Sequence, residues 1–169
     1  MKISKHFELT DFLRSQTAER IPSIQQKQYN PPLEIVKNLT HLAINVLDPI
    51  QDYLRSQNSS LHITSGYRCE ELNRLVGGSP TSDHVKGRAA DFVIVSTVTY
   101  DKKTAYKLLY QWIRNNLVFG QLIWEYGTKE IPAWLHVSYR LYNNSKQALI
   151  IGSYTNKKYL PYDTVMRTS

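Results

Sequence analysis

The segment Ser82–Val95 reads SDHVKGRAADFVIV and contains a sharp transition from loop to strand. Polar residues and Gly87 fill its first half, which is typical of a loop. The second half, Ala89–Val95, is an apolar run broken only by Asp91, which predicts a buried strand. A charged residue that points into a protein core without a partner is costly. A metal ion would offset that cost, and so would a buried ion pair with Arg88 or another cation.

Regular structure is also predicted on both sides of this stretch. Apolar residues recur at helical spacing over residues 33–54, and Pro49 inside the pattern predicts a kink or a restart near Asp48. Helices are further expected at 70–76 and 101–116, and strands at 61–65, 121–126, 135–142 and 148–154. Several strands follow one another across short loops. The sequence therefore predicts an α+β domain with a small, mostly antiparallel sheet flanked by helices.

The length of 169 residues suits a single domain. Residues 1–32 are expected to form an N-terminal lead-in packed on the body, and residues 155–169 a C-terminal tail. The N-terminal MKISKHFELTDFL lacks the apolar stretch of a signal peptide, and no segment has the roughly 18 apolar residues that span a bilayer. We therefore expect no membrane insertion and a cytoplasmic location until release. Cys69 is the only cysteine, so an intrachain disulfide is excluded.

The chain is basic, with 21 Lys and Arg against 14 Asp and Glu and a formal net charge of +7. Such an excess favours polyanionic partners, which include nucleic acids, anionic membranes and charged cell walls. The basic residues are scattered, and no nucleic-acid-binding motif accompanies them. We therefore expect no nucleic-acid partner, a prediction that a DNA or RNA affinity with a steep salt dependence would overturn.

Two histidines and one aspartate form the candidate metal site. His84 lies in the loop before the predicted strand, Asp91 lies near its start, and His136 begins a later strand in PAWLHVSYR. Two imidazoles and a carboxylate suit zinc, and three protein ligands leave a fourth position for water, as in catalytic zinc sites. Spacing alone leaves other roles open for these residues, such as capping, an ion pair or a buried neutral histidine.

Several motifs occur in one order along the chain. They are HFELTDFLRSQTA, SGYR at 65–68, Gly77-Gly78, S-x-H-x-x-G-x-A-x-D from Ser82 to Asp91, and W-x-H-V-S from Trp134 to Ser138. Together they closely resemble the zinc D-Ala-D-Ala carboxypeptidase family, which includes phage endolysin peptidases, and particularly its compact single-domain branch. The resemblance extends from about Ser4 to Tyr154.

This resemblance implies that His84, Asp91 and His136 hold Zn²⁺ at one face of the sheet. It also implies hydrolysis of peptide bonds in bacterial peptidoglycan. By analogy with the family, Arg68 binds a substrate carboxylate or stabilises the oxyanion, for which its guanidinium has suitable geometry; the alternative is a structural ion pair. Ser82 resembles a serine that relatives carry near the site; the alternative is a turn hydroxyl that bonds the local backbone.

The chain departs from the family at the general base. Many relatives carry Asp or Glu three residues before the last histidine ligand, where this chain has Ala133. Glu125 in QLIWEYG is the replacement we predict, because strand alternation can direct it to the metal and apolar neighbours would raise its pKa. The alternative is a glutamate on the solvent face of an edge strand. Glu130 is a second candidate, although its loop setting favours a solvated charge.

The leading functional hypothesis is therefore a zinc peptidase that cuts peptidoglycan stem peptides or cross-links, either as a phage or prophage lysis protein or as a virion-associated component. The alternative is a non-catalytic zinc domain of the same fold that binds cell-wall peptides or a protein partner, which Ala133 favours. The sequence specifies neither the bond that is cut nor the oligomeric state.

Overall fold

A computed structural model describes residues 1–95 and 99–167 of the chain. The strands in these residues are β1 (Ser60–Ser65), β2 (Ala89–Val95), β3 (Gln121–Glu125), β4 (Trp134–Ser138), β5 (Gln147–Ile151) and β6 (Leu160–Pro161). They form one sheet in the order β1-β2-β4-β3-β5-β6. Neighbours are antiparallel except β3 and β5, which are parallel. The prediction of an α+β fold with a mostly antiparallel sheet is confirmed.

Helices flank this sheet. In chain order they are α1 (Leu9–Leu13), α2 (Gln16–Glu19), α3 (Pro22–Tyr29), α4 (Leu33–Leu42), α5 (Asp48–Ser56), α6 (Glu70–Leu75), α7 (Lys102–Asn116) and α8 (Tyr162–Met166). Asp101 caps α7, near the start of the helix predicted at 101–116, by accepting a hydrogen bond from the Thr104 backbone N–H at 3.1 Å. In the part of the chain that the structure describes, no helix is long and apolar enough to cross a membrane.

The core lies between one face of the sheet and a layer of helices that includes α5 and α7. Trp124 of β3 is fully buried, and its ring meets Tyr106 and Tyr110 of α7 edge-on at centroid distances of 6.1 and 5.8 Å. The hydroxyl of Tyr110 donates to the backbone carbonyls of Leu122 and Leu149, so its polar end is satisfied inside the core. This packing occupies one face of the sheet and leaves the other available for polar chemistry.

The apolar helical pattern over residues 33–54 is interrupted where Pro49 predicted an irregularity. A π-helical segment, Ala43–Leu47, separates α4 from α5, and the Asp48 backbone N–H bonds the Ala43 carbonyl. Proline has no N–H, and its ring crowds the carbonyl four residues earlier. The wider π turn accommodates both effects without ending the helix.

The predicted lead-in, residues 1–32, forms α1, α2 and α3 and packs on the body. Phe12 is fully buried there. Asp48 of α5 is also buried and accepts hydrogen bonds from the Ser4 hydroxyl at 2.9 Å and from the backbone N–H groups of Lys5 and His6 at 2.9 and 3.1 Å. One buried carboxylate thus holds the first residues of the chain in place.

The last third of the chain differs from the prediction at its boundaries. Strand β4 ends at Ser138 and not at Tyr142, because Arg140 turns the chain and donates its backbone N–H to Asn144 Oδ1 at 2.9 Å. Likewise β5 ends at Ile151, before a 3₁₀ turn.

The expected tail, residues 155–169, contributes regular structure. It contains β6 and α8, and Tyr162 stacks on Tyr110 at a centroid distance of 4.0 Å. Asp163 accepts two hydrogen bonds from the Arg114 guanidinium, each at 2.8 Å. These contacts attach the segment to α7.

Candidate metal centre

Strand register places two of the three predicted ligands side by side. Asp91 of β2 lies opposite His136 of β4, and Ile123 of β3 lies opposite His136 on its other side. Because side chains alternate between faces along a strand, these three share the face that α7 does not cover. His84 approaches the same point from the loop before β2. The predicted position of the site at one face of the sheet is confirmed.

The possible ligand atoms converge closely. His84 Nε2 lies 3.3 Å from His136 Nδ1 and 3.2 Å from Asp91 Oδ1, while His136 Nδ1 lies 2.8 Å from Asp91 Oδ1. Tetrahedral zinc, with ligand bonds of about 2.0–2.1 Å, separates its ligand atoms by roughly 3.3–3.4 Å. The two separations from His84 Nε2 match this value. The third, from His136 Nδ1 to Asp91 Oδ1, is shorter by about half an ångström. All three side chains are buried, and together they fit a zinc ion.

Hydrogen bonding determines which nitrogen of His84 can bind a metal. Its Nδ1 lies 2.7 Å from the Gly66 carbonyl oxygen, which can only accept, so we assign the proton to Nδ1. The lone pair is then on Nε2, which faces Asp91 and His136. Burial lowers the pKa of His84 and favours the neutral ring. Two acceptors, Nε2 and the Asp91 carboxylate, therefore face each other, which is an arrangement that a cation stabilises.

Asp91 is held in its ionised form. Burial alone would raise the pKa of its carboxyl, but the two histidines outweigh burial, and the pKa lies well below its ordinary value. His136 shows the reciprocal effect: burial would lower its pKa, but the bond to Asp91 raises it. Oδ1 of Asp91 faces the imidazoles, while Oδ2 accepts a hydrogen bond from Arg68 Nη2 at 2.9 Å. The carboxylate thus presents one oxygen to the metal position.

Arg68 is held from several directions. Besides its contact with Asp91, its Nε donates to Ser65 Oγ at 3.0 Å, and its backbone N–H donates to the His84 carbonyl at 3.2 Å. The ion pair considered as an alternative is present, yet the side chain also lines the open cleft described below. The substrate-binding role of Arg68 stays a prediction.

The loop that carries His84 depends on glycine and on an ion pair whose carboxylate is buried. Gly87 has φ +64°, and a Cβ atom there would lie 2.8 Å from Ile35 Cγ2. Asp83 is buried and accepts a hydrogen bond from Arg140 Nη2 at 3.0 Å, which joins the loop to the segment after β4. Gly87 thus permits the turn that brings His84 and Asp91 together.

Glu125 shares the sheet face of the metal residues. It lies two positions from Ile123 on β3, is 9% exposed, and lines the cleft. Its Oε2 accepts a hydrogen bond from Trp134 Nε1 at 2.9 Å. Burial raises the pKa of its carboxyl, while the charge of His136 opposes that change. The structure therefore places Glu125 beside the centre rather than on the solvent face of an edge strand; its catalytic role stays a prediction.

The other candidates lie in less direct positions. Glu130 is exposed and Ala133 precedes β4; neither is among the described residues that line the cleft. Ser82 lines the cleft, and its Oγ accepts a hydrogen bond from the His84 backbone N–H at 3.3 Å. This bond is the local turn contact considered as the alternative, and substrate binding by Ser82 stays untested.

An open cleft of about 1020 Å³ passes over the centre. It runs from the lead-in, across the loop that carries His84, to the C-terminal segment. Charged and aromatic side chains line it, among them Arg14, Arg68, Glu125, Tyr126, Trp134, Arg140 and Tyr159. The volume and the open shape suit an extended ligand better than a small enclosed molecule.

Sequence reasoning missed two residues that bear on the site. Gln28 of α3 is fully buried, and its side-chain amide donates to the Tyr67 carbonyl at 2.7 Å and accepts from the Cys69 N–H at 2.9 Å. It therefore holds the backbone on both sides of Arg68. Nothing distinguishes Gln28 in a polar helix sequence. The second residue is Tyr159, which lines the cleft but lies in residues 155–169, the segment expected to be a tail.

A sequence profile of the protein family described as Peptidase M15 matches residues 5–138. The matched range includes the three candidate ligands, Arg68 and Glu125, and it ends before Tyr159. Comparison with curated proteins finds no match.

Proposed function

The chain belongs to the peptidase M15 family, a family of zinc D-Ala-D-Ala carboxypeptidases, and on this premise we propose that it is a zinc-dependent peptidase acting on bacterial peptidoglycan. The bonds cut would be those of stem peptides or their cross-links. The observation that carries the proposal is the convergence of His84 Nε2, His136 Nδ1 and Asp91 Oδ1 at the floor of an open cleft. Three protein ligands leave a position for water, as in catalytic zinc sites.

Bound zinc would supply a Lewis acid for the scissile carbonyl and would lower the pKa of its water to about 7. We assign Glu125 as the acceptor of the water proton. The Trp134 indole N–H fixes Glu125 Oε2, so Oε1 is the oxygen we assign to proton transfer. As the carbonyl carbon gains the water oxygen and the C–N bond breaks, Glu125 returns the proton to the leaving amine.

Arg68 completes the proposed machinery. Its guanidinium is anchored by Asp91 and Ser65 and borders the cleft, where its positive charge can meet a substrate carboxylate or the developing oxyanion. Ser82, at the adjacent edge of the cleft, is a candidate substrate contact. These positions are consistent with a peptide that lies across the loop carrying His84.

Peptidoglycan as the substrate is supported by the motif resemblance and by the net charge of +7, which favours anionic wall polymers. We place the activity at the bacterial cell wall, in a phage or prophage lysis protein or a virion component. The second candidate function is a non-catalytic zinc domain that binds wall peptides or a protein partner. Ala133 favours it, because many relatives carry an acidic residue at that position.

Mass spectrometry of muropeptides tests the proposal. Purified peptidoglycan is incubated with the zinc-loaded protein, with EDTA-treated protein, and with EDTA-treated protein supplied with zinc. We expect new peptide termini in the first and third reactions only, and their masses identify the bond. If no peptide bond is cut under any zinc condition, the enzyme is ruled out and the binding domain is favoured.

A further inference from the structure

Three aromatic side chains line the cleft at the end where Glu125 lies. We call Tyr126, Trp134 and Tyr159 the aromatic wall. Tyr126 and Tyr159 are 40% and 57% exposed, so their rings are accessible to a ligand in the cleft. Rings exposed inside a cleft present flat apolar faces to whatever binds there.

The Tyr126 part of the wall is rigid and strained. Tyr126 has φ +53°, a left-handed conformation that is rare for a bulky residue, and its backbone N–H donates to the Ile151 carbonyl at 2.7 Å. Its ring packs on Trp134 at a centroid distance of 5.2 Å. Trp134 in turn donates to Glu125. Backbone strain of this kind is concentrated at functional sites, and here it fixes a ring beside the assigned base.

A second left-handed turn brings Tyr159 to the cleft. Asn156 and Lys157 have φ +51° and +56°, and the Lys157 backbone N–H donates to the Gly152 carbonyl at 2.9 Å. The Tyr154 hydroxyl donates to the Tyr126 carbonyl at 3.3 Å, which joins this turn to the turn after β3. The two halves of the aromatic wall are therefore linked by the Tyr154 side chain.

Tyr159 also lies within the electrostatic field of the centre. Burial is the main reason that the pKa of its phenol is raised, and the negative charges of Glu125 and Asp91 add to the effect. The ring is therefore neutral at physiological pH. It shares the cleft with three cationic side chains, Arg14, Arg68 and Arg140.

We propose that the aromatic wall is a substrate subsite: it binds an aliphatic residue of the peptide next to the scissile bond, and Tyr159 determines specificity there through the face of its ring. The inference rests on the proposed function and adds a residue beyond the range that the family profile matches. The wall offers ring faces and no full charge, so an aliphatic side chain fits it better than a carboxylate.

Peptide binding tests the inference separately from catalysis. A synthetic stem pentapeptide without glycan is titrated calorimetrically into zinc-loaded Glu125→Gln, which retains an acceptor for the Trp134 indole. In that background we expect Tyr159→Ala to weaken binding about tenfold, as for a buried aromatic contact, and Tyr159→Phe to change it less than threefold. The matched control is Tyr142→Ala, which removes a ring that is 76% exposed and outside the described cleft lining.

Four results would overturn the subsite. They are no peptide binding by Glu125→Gln, unchanged binding in Tyr159→Ala, equal losses in Tyr159→Ala and Tyr159→Phe, or a loss seen only with glycan-bearing muropeptides. Turnover by the wild-type protein is measured in parallel. If Tyr159→Ala weakens peptide binding but the wild type hydrolyses nothing, the proposed peptidase function fails, and the aromatic wall is a peptide-binding site without a scissile bond beside it.

Discussion

At the residue scale, Glu125 experiences opposing influences on its pKa. Burial raises the pKa, whereas the charge of His136 and the hydrogen bond from Trp134 lower it. The net result is a raised pKa, closer to neutrality than that of a solvated glutamate. A carboxyl group whose pKa is raised binds a proton more readily than a solvated glutamate, which is the property that a general base needs.

Replacement of Glu125 by glutamine separates metal binding from proton transfer. Glu125→Gln is expected to keep one zinc ion per chain, because no assigned ligand changes, and to lose about 10²- to 10⁴-fold in kcat. Glu130→Gln, at an exposed position outside the described cleft lining, is the matched control and should retain activity. Unchanged hydrolysis in Glu125→Gln would rule out Glu125 as the base.

The raised pKa of Glu125 also determines how the rate of hydrolysis depends on pH. Glu125 must be ionised to accept a proton, so kcat/KM should fall as pH decreases through its raised pKa. The midpoint of this acid limb should lie above 4.5, the ordinary value for glutamate. Zinc content is measured at each pH so that metal loss is not mistaken for protonation of the base. An acid limb centred at or below that ordinary value, with zinc retained, contradicts the assignment.

At the element scale, the loop between α6 and β2 controls where His84 lies. Gly87 combines a left-handed backbone with close approach to Ile35, and the Asp83–Arg140 pair attaches the loop to the chain after β4. Gly77, at the end of α6, has a similar φ of +74°, but a Cβ atom there would have open space around it, with no neighbouring atom of the described residues within 4 Å. A comparison of substitutions at the two glycines therefore separates the effect of a left-handed backbone from the effect of steric crowding.

Alanine at each glycine provides a matched comparison. Gly77→Ala should lower the free energy of unfolding by about 1–2 kcal/mol, the cost of a left-handed L-residue. Gly87→Ala should cost more, because its Cβ would also lie 2.8 Å from Ile35 Cγ2. Only Gly87→Ala should displace His84, with about 10- to 100-fold weaker zinc binding, as for loss of a ligand-orienting contact. Denaturant unfolding measures the loss of stability, and zinc titration measures the loss of zinc affinity. Equal losses of stability and of zinc affinity in the two variants would contradict this account.

The elements that the sequence predicted best are those with strong local patterns. The strand Ala89–Val95 has the predicted bounds, because an apolar run between polar segments leaves little choice of end points. The ends of β4 and β5 differ because side-chain hydrogen bonds such as that from Arg140 to Asn144 depend on tertiary geometry. Local propensity does not encode such contacts.

At the scale of the whole molecule, the cleft is assembled from distant parts of the chain. Spacing and motif resemblance identified His84, Asp91 and His136, and strand alternation placed Glu125 on their face. Gln28 and Tyr159 could not be identified in this way, because their roles arise from contacts with residues far away in the sequence. The family profile, which ends at residue 138, likewise does not cover the part of the cleft that contains Tyr159.

The most direct test of the central claim is a zinc titration of the metal-free protein, with peptidoglycan hydrolysis as the readout. The rate should rise linearly and reach its maximum at one zinc ion per chain, because one set of three ligands forms the proposed centre. His136→Ala should remove both tight zinc binding and the rate. Full hydrolytic activity without bound zinc, or an unchanged rate and stoichiometry in His136→Ala, would contradict the account.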